Sequence, residues 1–146
     1  MNYDSLKIEN QLCFPLYVCS KEIVKKYTPY LEKLDLTYTQ YITMMIMWEE
    51  NNITVKELGK RLYLDSGTLT PLLKKLESKG YVIRNRDKSD ERNVIISLTN
   101  TGLALKDKAV SVPECVSKCI NLSPEEGAIL YKLLYNLIDG MEDKNE

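Results

Sequence analysis

The sequence predicts a mainly α-helical chain carrying one small β-hairpin, and three observations predict it. Helix starts are marked by paired capping residues. Thr37 with Gln40, Thr54 with Glu57 and Ser123 with Glu126 each fit the box in which two side chains satisfy each other's orphan N–H groups. Apolar residues recur at helical spacing, in the last segment as Leu130, Leu133, Leu134, Leu137, Ile138 and Met141. In the middle the period changes to two β-type runs, YVIRNR and NVIISL, separated by the charged segment DKSDER.

The elements follow in order. A first helix runs from about Leu6 to Leu34, with Leu12, Leu16, Ile23 and Tyr27 near one face. A second covers about Tyr38 to Glu50 behind the Thr37 cap, and a short third Val55 to Leu62 behind Thr54. A fourth runs from about Gly67 to Lys79 and stops at Gly80, a typical C-terminal signal. The hairpin comes next. Thr99 then caps a long helix from about Thr101 to Cys119, bent near Pro113. The last helix starts at Pro124, a favoured first helical residue, and runs to about Met141. Its leucine stripe is either a core face or a dimer seam. Two long terminal helices carry more apolar surface than one small core can cover, so a homodimer is the economical expectation.

With 146 residues, 44% hydrophobic and 28% charged, the chain has the size and composition of one globular domain, expected to span 1–146. No apolar run is long enough for a membrane span and the N-terminus lacks a signal-peptide pattern, so a cytoplasmic protein without a membrane partner is expected. In that compartment the four cysteines are structural thiols, metal ligands or redox groups rather than a disulfide framework. There is no histidine, which removes Ser-His-Asp and Cys-His catalysis and mixed His/Cys zinc sites. An all-cysteine zinc site stays open, but no metal or other cofactor is expected. Net charge is −1, yet Lys56 to Arg92 holds ten Lys/Arg against six Asp/Glu. A basic middle inside an acidic chain is a local electrostatic footprint.

The order helix, short helix, helix, hairpin over about 37–98 is a winged helix-turn-helix, leaving about 5–34 and 100–142 as dimerisation helices. Read by angle, the fourth helix groups Leu69, Leu72, Leu73 and Leu76 on one quadrant. Gly67, Pro71, Lys74 and Ser78 lie opposite, flanked by Thr68, Thr70 and Lys75. The start of the exposed face, with Ser66, is small and hydroxyl-bearing, which suits close entry into a major groove; the lysines suit phosphates. The hairpin adds Arg84, Arg86, Lys88 and Arg92, as a wing reaching a minor groove would. The bland alternative is a solvated loop on a protein-binding winged helix. Double-stranded DNA, as an inverted-repeat operator, is the partner this pattern favours.

The stretches LYLDSGTLTPLLKKLE and RNRDKSDERNVIISLT resemble the recognition helix and wing of the MarR family of dimeric repressors, and the pair Asp90 and Arg92 matches that family's wing signature. The stretches ENQLCFPLY and TPYLEKLDLTYTQY resemble its OhrR-type branch of organic hydroperoxide sensors. The resemblance runs from about Glu9 to about Val112. It implies that Cys13 is a peroxide-reactive thiolate supported by Tyr27 and Tyr38, one of them contributed by the partner subunit. Phenol O–H donors can hold a thiolate without histidine, and apolar neighbours such as Phe14, Leu16 and Trp48 suit an organic peroxide. The resemblance also implies a resolving cysteine before the last helix of the partner. Cys119 is nearer the expected place than Cys115, and both could face one side of a helix. Cys19 points elsewhere and is expected to be a core thiol.

One departure matters. Pro15 stands where the OhrR-type motif has an aliphatic residue. Either it kinks the first helix, or that helix begins near Cys13 and sets the thiol at the positive end of the helix dipole. Three other functions compete. A MarR-type regulator could be released by a small aromatic ligand held among tyrosines and Met44, Met45 and Met47. A thiol peroxidase could share the fold, or cysteines could hold zinc.

Overall fold

The computed structural model describes residues 3–87, 90 and 92–142. Helices α1 (Cys13–Leu31), α2 (Tyr38–Glu49), α3 (Val55–Leu62), α4 (Ser66–Ser78), α5 (Asn100–Ala109), α6 (Val112–Ser117) and α7 (Pro124–Glu142) alternate with strands β1 (Asn52–Thr54), β2 (Val82–Arg86) and β3 (Val94–Leu98). The caps form as the sequence expects. Thr37 Oγ1 accepts from the Gln40 N–H while the Gln40 side chain accepts from the Thr37 N–H. Ser123 and Glu126 reciprocate in the same way. Thr54 and Thr99 cap α3 and α5.

The first helix starts at Cys13 rather than Leu6. Upstream, Asp4–Leu6 and Ile8–Asn10 are single 3-10 turns. The Asn10 and Gln11 side-chain amides tie them together by donating to the carbonyls of Asp4 and Ser5 at 2.8 and 2.6 Å. Pro15 accounts for the start. It falls in the first turn of α1, where a missing N–H costs nothing; a helix continued upstream would lose a bond there and meet its ring. At the other end α1 stops at Leu31, and Glu32–Leu34 is a 3-10 turn closed by Asp35 at φ 52°.

The segment expected as one bent helix from Thr101 to Cys119 is two. α5 ends at Ala109, and Pro113 sits in the first turn of α6, so the chain breaks there instead of bending. The hairpin is also part of a larger sheet. β1 joins it, giving the antiparallel order β1-β3-β2 with Ile53 opposite Ile96 and Arg84 opposite Ile96 on the other side. The three residues NIT carry too little alternation to announce a strand.

The core is built from Leu31, Leu34 and Leu36 against Met44 and Met47 of α2, Leu58 of α3, the α4 leucines, Val82, Ile96 and Leu105. α5 approaches the backbone just before β2 so closely that a Cβ on Gly102 would lie 2.0 Å from the Tyr81 carbonyl oxygen. The leucine stripe of α7 is not part of this core: Leu130, Leu133, Leu134, Leu137 and Met141 are all exposed in the single chain. Cys19, expected as a core thiol, is exposed on α1 as well. No helix among the described residues is long and apolar enough to cross a membrane.

Candidate nucleic-acid interface and thiol sites

The turn between α3 and α4 is short because Gly59 lets the two helices meet; a Cβ there would stand 3.0 Å from the Leu64 carbonyl oxygen. Tyr63 absorbs the reversal at φ 54°. Asp65 caps α4. Its Oδ1 accepts from the Thr68 N–H at 2.9 Å and its Oδ2 from the Thr68 hydroxyl at 3.0 Å, so α4 begins at Ser66, one residue before the expected Gly67. These hydrogen bonds to Thr68 hold the Asp65 carboxyl below the usual carboxylate range. α4 ends in a paired closure, Gly80 N–H to Glu77 and Tyr81 N–H to Leu76, with Gly80 left-handed at φ 73°.

Leu69, Leu72, Leu73 and Leu76 are buried, and Ser66, Gly67, Thr68, Thr70, Pro71, Lys74 and Lys75 are all exposed on the other side. The wing is anchored to this helix by Arg84. Its Nε donates to Glu77 Oε2 at 2.8 Å, and the pairing lowers the pKa of the Glu77 carboxyl. Arg84 is thus half-buried and committed within the fold, while Arg86 is exposed at the end of β2. At the tip Arg92 makes a two-pronged pair with Asp90, Nε to Oδ1 at 2.9 Å and Nη2 to Oδ2 at 3.0 Å, and its N–H donates to the same carboxylate. Those bonds from Arg92 hold the Asp90 carboxyl down. The Arg92 side chain is still 90% exposed, so the pair presents the guanidinium rather than hiding it. Lys88 lies outside the described residues.

A cleft of about 640 Å³ separates α3, α4 and the wing, and Lys56, Lys60, Arg84 and Arg92 all border it. The two lysines of α3 had been counted only within the basic stretch. Arg61, next to them, is taken up by Glu49 and Glu50 of α2.

Cys13 is exposed at the first residue of α1. Tyr27 and Tyr38 meet edge to face with ring centroids 4.9 Å apart, and Tyr41 and Trp48 extend the aromatic row at 5.9 and 6.4 Å. Burial pushes both the Tyr27 and the Tyr38 phenol up, so they remain O–H donors at neutral pH. Cys13 and Tyr27 stand at nearly opposite ends of the continuous helix α1, separated by about 21 Å of rise. The two tyrosines travel together, so neither reaches the Cys13 of its own chain. The Trp48 indole N–H donates to the Gly102 carbonyl at 2.9 Å, which fixes it to α5. Met44 and Met47 are fully buried core residues, and only Met45 of the three methionines reaches the surface.

Cys115 is half-buried on α6, and Cys119 lies just beyond its end, exposed, with its sulfur 3.6 Å from the Cys115 carbonyl oxygen. The charge that Cys119 carries when ionised, then burial and the charge of Cys115, push the Tyr30 phenol of α1 up. Between α1 and α7 runs an apolar groove of about 670 Å³ bordered by Ile23, Leu122, Leu130 and Leu134, with Cys19 and Cys119 on its walls. Among the described residues no three Cys, Asp or Glu side chains come together as a metal site.

Comparison with known proteins agrees with this architecture. The family model described as transcriptional regulator SarA/Rot matches residues 25–109. The organic hydroperoxide resistance transcriptional regulator of Bacillus subtilis is 47% identical over 143 residues, covering 98% of this chain and 97% of that protein. Reduced AbfR bound to DNA superposes with a TM-score of 0.82 at 34% identity over the whole of both chains. Disulfide-formed AbfR gives 0.65 at 35% identity, over 97% of this chain and 96% of that one. A cysteine mutant of MarR from E. coli complexed with operator DNA gives 0.78 at 28% identity, over 94% and 98%. The chain belongs to the MarR family of winged-helix transcriptional regulators, in the branch of the OhrR-type organic hydroperoxide regulators.

Proposed function

We propose that the chain is a homodimeric repressor that leaves an inverted-repeat operator when an organic hydroperoxide oxidises Cys13. The observation that carries this reading is the separation of Cys13 from the joined pair Tyr27 and Tyr38. A thiol at one end of α1 and its phenol donors near the other can only meet across two chains, so chemistry at the sulfur acts directly on dimer geometry. The exposed apolar faces of α7 and of the N-terminal arm supply the surface for such a dimer. The relatives support the chemistry: one is an organic hydroperoxide regulator, and AbfR has a DNA-bound reduced form and a disulfide form. Peroxide converts the Cys13 thiolate to a sulfenic acid and the alcohol. Cys119 or Cys115 of the partner then condenses with it, releasing water. The half-site spacing changes and DNA is released.

In the DNA-bound state α4 enters the major groove with Ser66, Gly67, Thr68, Thr70 and Pro71 foremost. Lys74 and Lys75 sit near phosphates, and Arg86 and Arg92 reach from the wing. Arg84 and Asp90 hold the wing in shape. The relatives are regulators, which weighs against a thiol peroxidase, and the burial of Met44 and Met47 weighs against a ligand pocket lined by them.

The test is fluorescence anisotropy on an operator fragment with reduced protein, then cumene hydroperoxide, then dithiothreitol. Wild type should bind, release and rebind. Cys13→Ser should bind reduced-like and stay bound after peroxide; release of that variant by peroxide sinks the sensing role. Arg92→Ala should weaken binding by about tenfold to a hundredfold, the loss of one wing contact, and lower the salt slope of affinity by about one. Unchanged affinity at two salt concentrations would exclude the wing contact.

A further inference from the structure

Helix α3 carries three cations, Lys56, Lys60 and Arg61, and the structure sorts them. Arg61 is engaged by Glu49 and Glu50. Lys56 and Lys60 are both exposed, and among the described residues neither pairs with a carboxylate. Four residues apart, they rise about 6 Å along α3 and share one face. Both border the cleft that α3, α4 and the wing enclose, and the wing brings Arg84 and Arg92 to it. The described lining holds these four cations and no carboxylate. Arg84 and Arg92 are held by Glu77 and Asp90, so the two lysines are the cations left uncommitted.

The two grooves of a DNA duplex are separated by a sugar-phosphate strand. A helix seated in the major groove and a wing in the adjoining minor groove therefore straddle one strand, which must cross the space between them. In this chain that space is the cleft. We propose that Lys56 and Lys60 grip this strand from the α3 side, so that α3, α4 and the wing hold it on three sides. The clamp rests on the proposed docking of α4 and the wing and adds α3 to it. A lysine is a compact point charge with three rotatable donors, suited to phosphate oxygens. Such contacts position the protein on the duplex without reading its sequence. Arg61, one residue along, takes no part, because Glu49 and Glu50 hold its guanidinium against α2.

Because the contact is independent of sequence, the probe is a fluorescein-labelled mixed-sequence duplex of about 30 base pairs, followed by anisotropy over a salt series. In reduced full-length protein, Lys56→Ala with Lys60→Ala should weaken binding by at least about a hundredfold at about 30 mM salt. The plot of log affinity against log salt should flatten by about 0.9 for every lysine in contact. Lys56→Arg with Lys60→Arg should restore both. Lys21→Ala with Lys25→Ala, which removes the same charge from α1, should keep the wild-type slope. All four lysines are exposed, so melting temperatures should not move. A double-alanine slope equal to wild type, with Arg92→Ala still weakening binding, overturns the clamp and leaves the docking standing. Equal flattening in the α1 variant would assign the effect to net charge and overturn the clamp as well. Wild type that fails to bind the duplex removes docking and clamp together. Calorimetric titration with inorganic phosphate should give no saturable heat; saturation at micromolar phosphate would make the cleft a small-anion site instead.

Discussion

Replacing Leu130 and Leu134 together by aspartate is expected to convert the protein to monomer and to weaken operator binding by at least about a hundredfold. Both side chains are exposed in the single chain although they lie on the same face of α7, and Ile129, Leu133, Leu137 and Met141 extend the apolar surface around it. A helix apolar over most of its circumference calls for a cover, and among the described residues none of α7 belongs to the core of its own chain. Two carboxylates placed in the covering interface would be buried without partners, which a dimer does not survive. A monomer engages one half-site only, so the affinity gained by tethering the second domain is lost. Multi-angle light scattering gives the mass, and anisotropy on an inverted repeat gives the affinity. Dimeric mass with full affinity would mean that α7 is not the seam. Circular dichroism should stay helical with a cooperative melt, since neither leucine contributes to the intrachain core.

Gly102→Ala is expected to destabilise the fold by about 3 kcal/mol and to lower Tm by about 10 °C. The new methyl carbon would meet the Tyr81 carbonyl oxygen at 2.0 Å and the carbonyl carbon at 2.9 Å, both backbone atoms that no side-chain rotation can move. Relieving the clash means lifting α5 off the Tyr81 backbone. That strains three bonds meeting at this corner: Thr99 N–H to Tyr81 at 3.1 Å, Gly102 N–H to Thr99 Oγ1 at 3.0 Å, and the Trp48 indole to the Gly102 carbonyl at 2.9 Å. Gly127→Ala, in α7 with nothing within 4 Å of its Cβ, is the matched control and should leave Tm unchanged or raise it slightly through alanine's higher helix propensity. Equal melting of the two variants would show that the corner is more compliant than its geometry.

Most of this architecture was legible in the residues because it depends on local signals. The caps at Thr37, Thr54, Thr99 and Ser123, the four buried leucines of α4 and the Gly80 stop each follow from spacing alone. What was missed depends on non-local partners. β1 exists because Asn52, Ile53 and Thr54 find Ser97, Ile96 and Ile95 far along the chain. The start of α1 turned on Pro15, which the sequence could read two ways until the upstream turns were seen to be tied off by Asn10 and Gln11. Cys19 looked like a core thiol because an apolar helix near one end normally packs inward; this one leaves much of its surface exposed in the single chain. The placement of Tyr27 and Tyr38 side by side depends on how α1 crosses α2, which no spacing rule reports.

On the proposed docking of α4, its two threonines carry a consequence for operator sequence. Thr68 donates its hydroxyl proton to Asp65, and Thr70 donates its own to the Ser66 carbonyl at 2.7 Å. A hydroxyl whose proton is committed has only lone pairs to offer. Laid in a major groove, both oxygens are complementary to the exocyclic amino groups of adenine and cytosine and indifferent or opposed to the carbonyl edges of guanine and thymine. On the proposed docking, the Asp65 cap and the Ser66 carbonyl would together bias the groove floor toward adenine and cytosine before any DNA arrives.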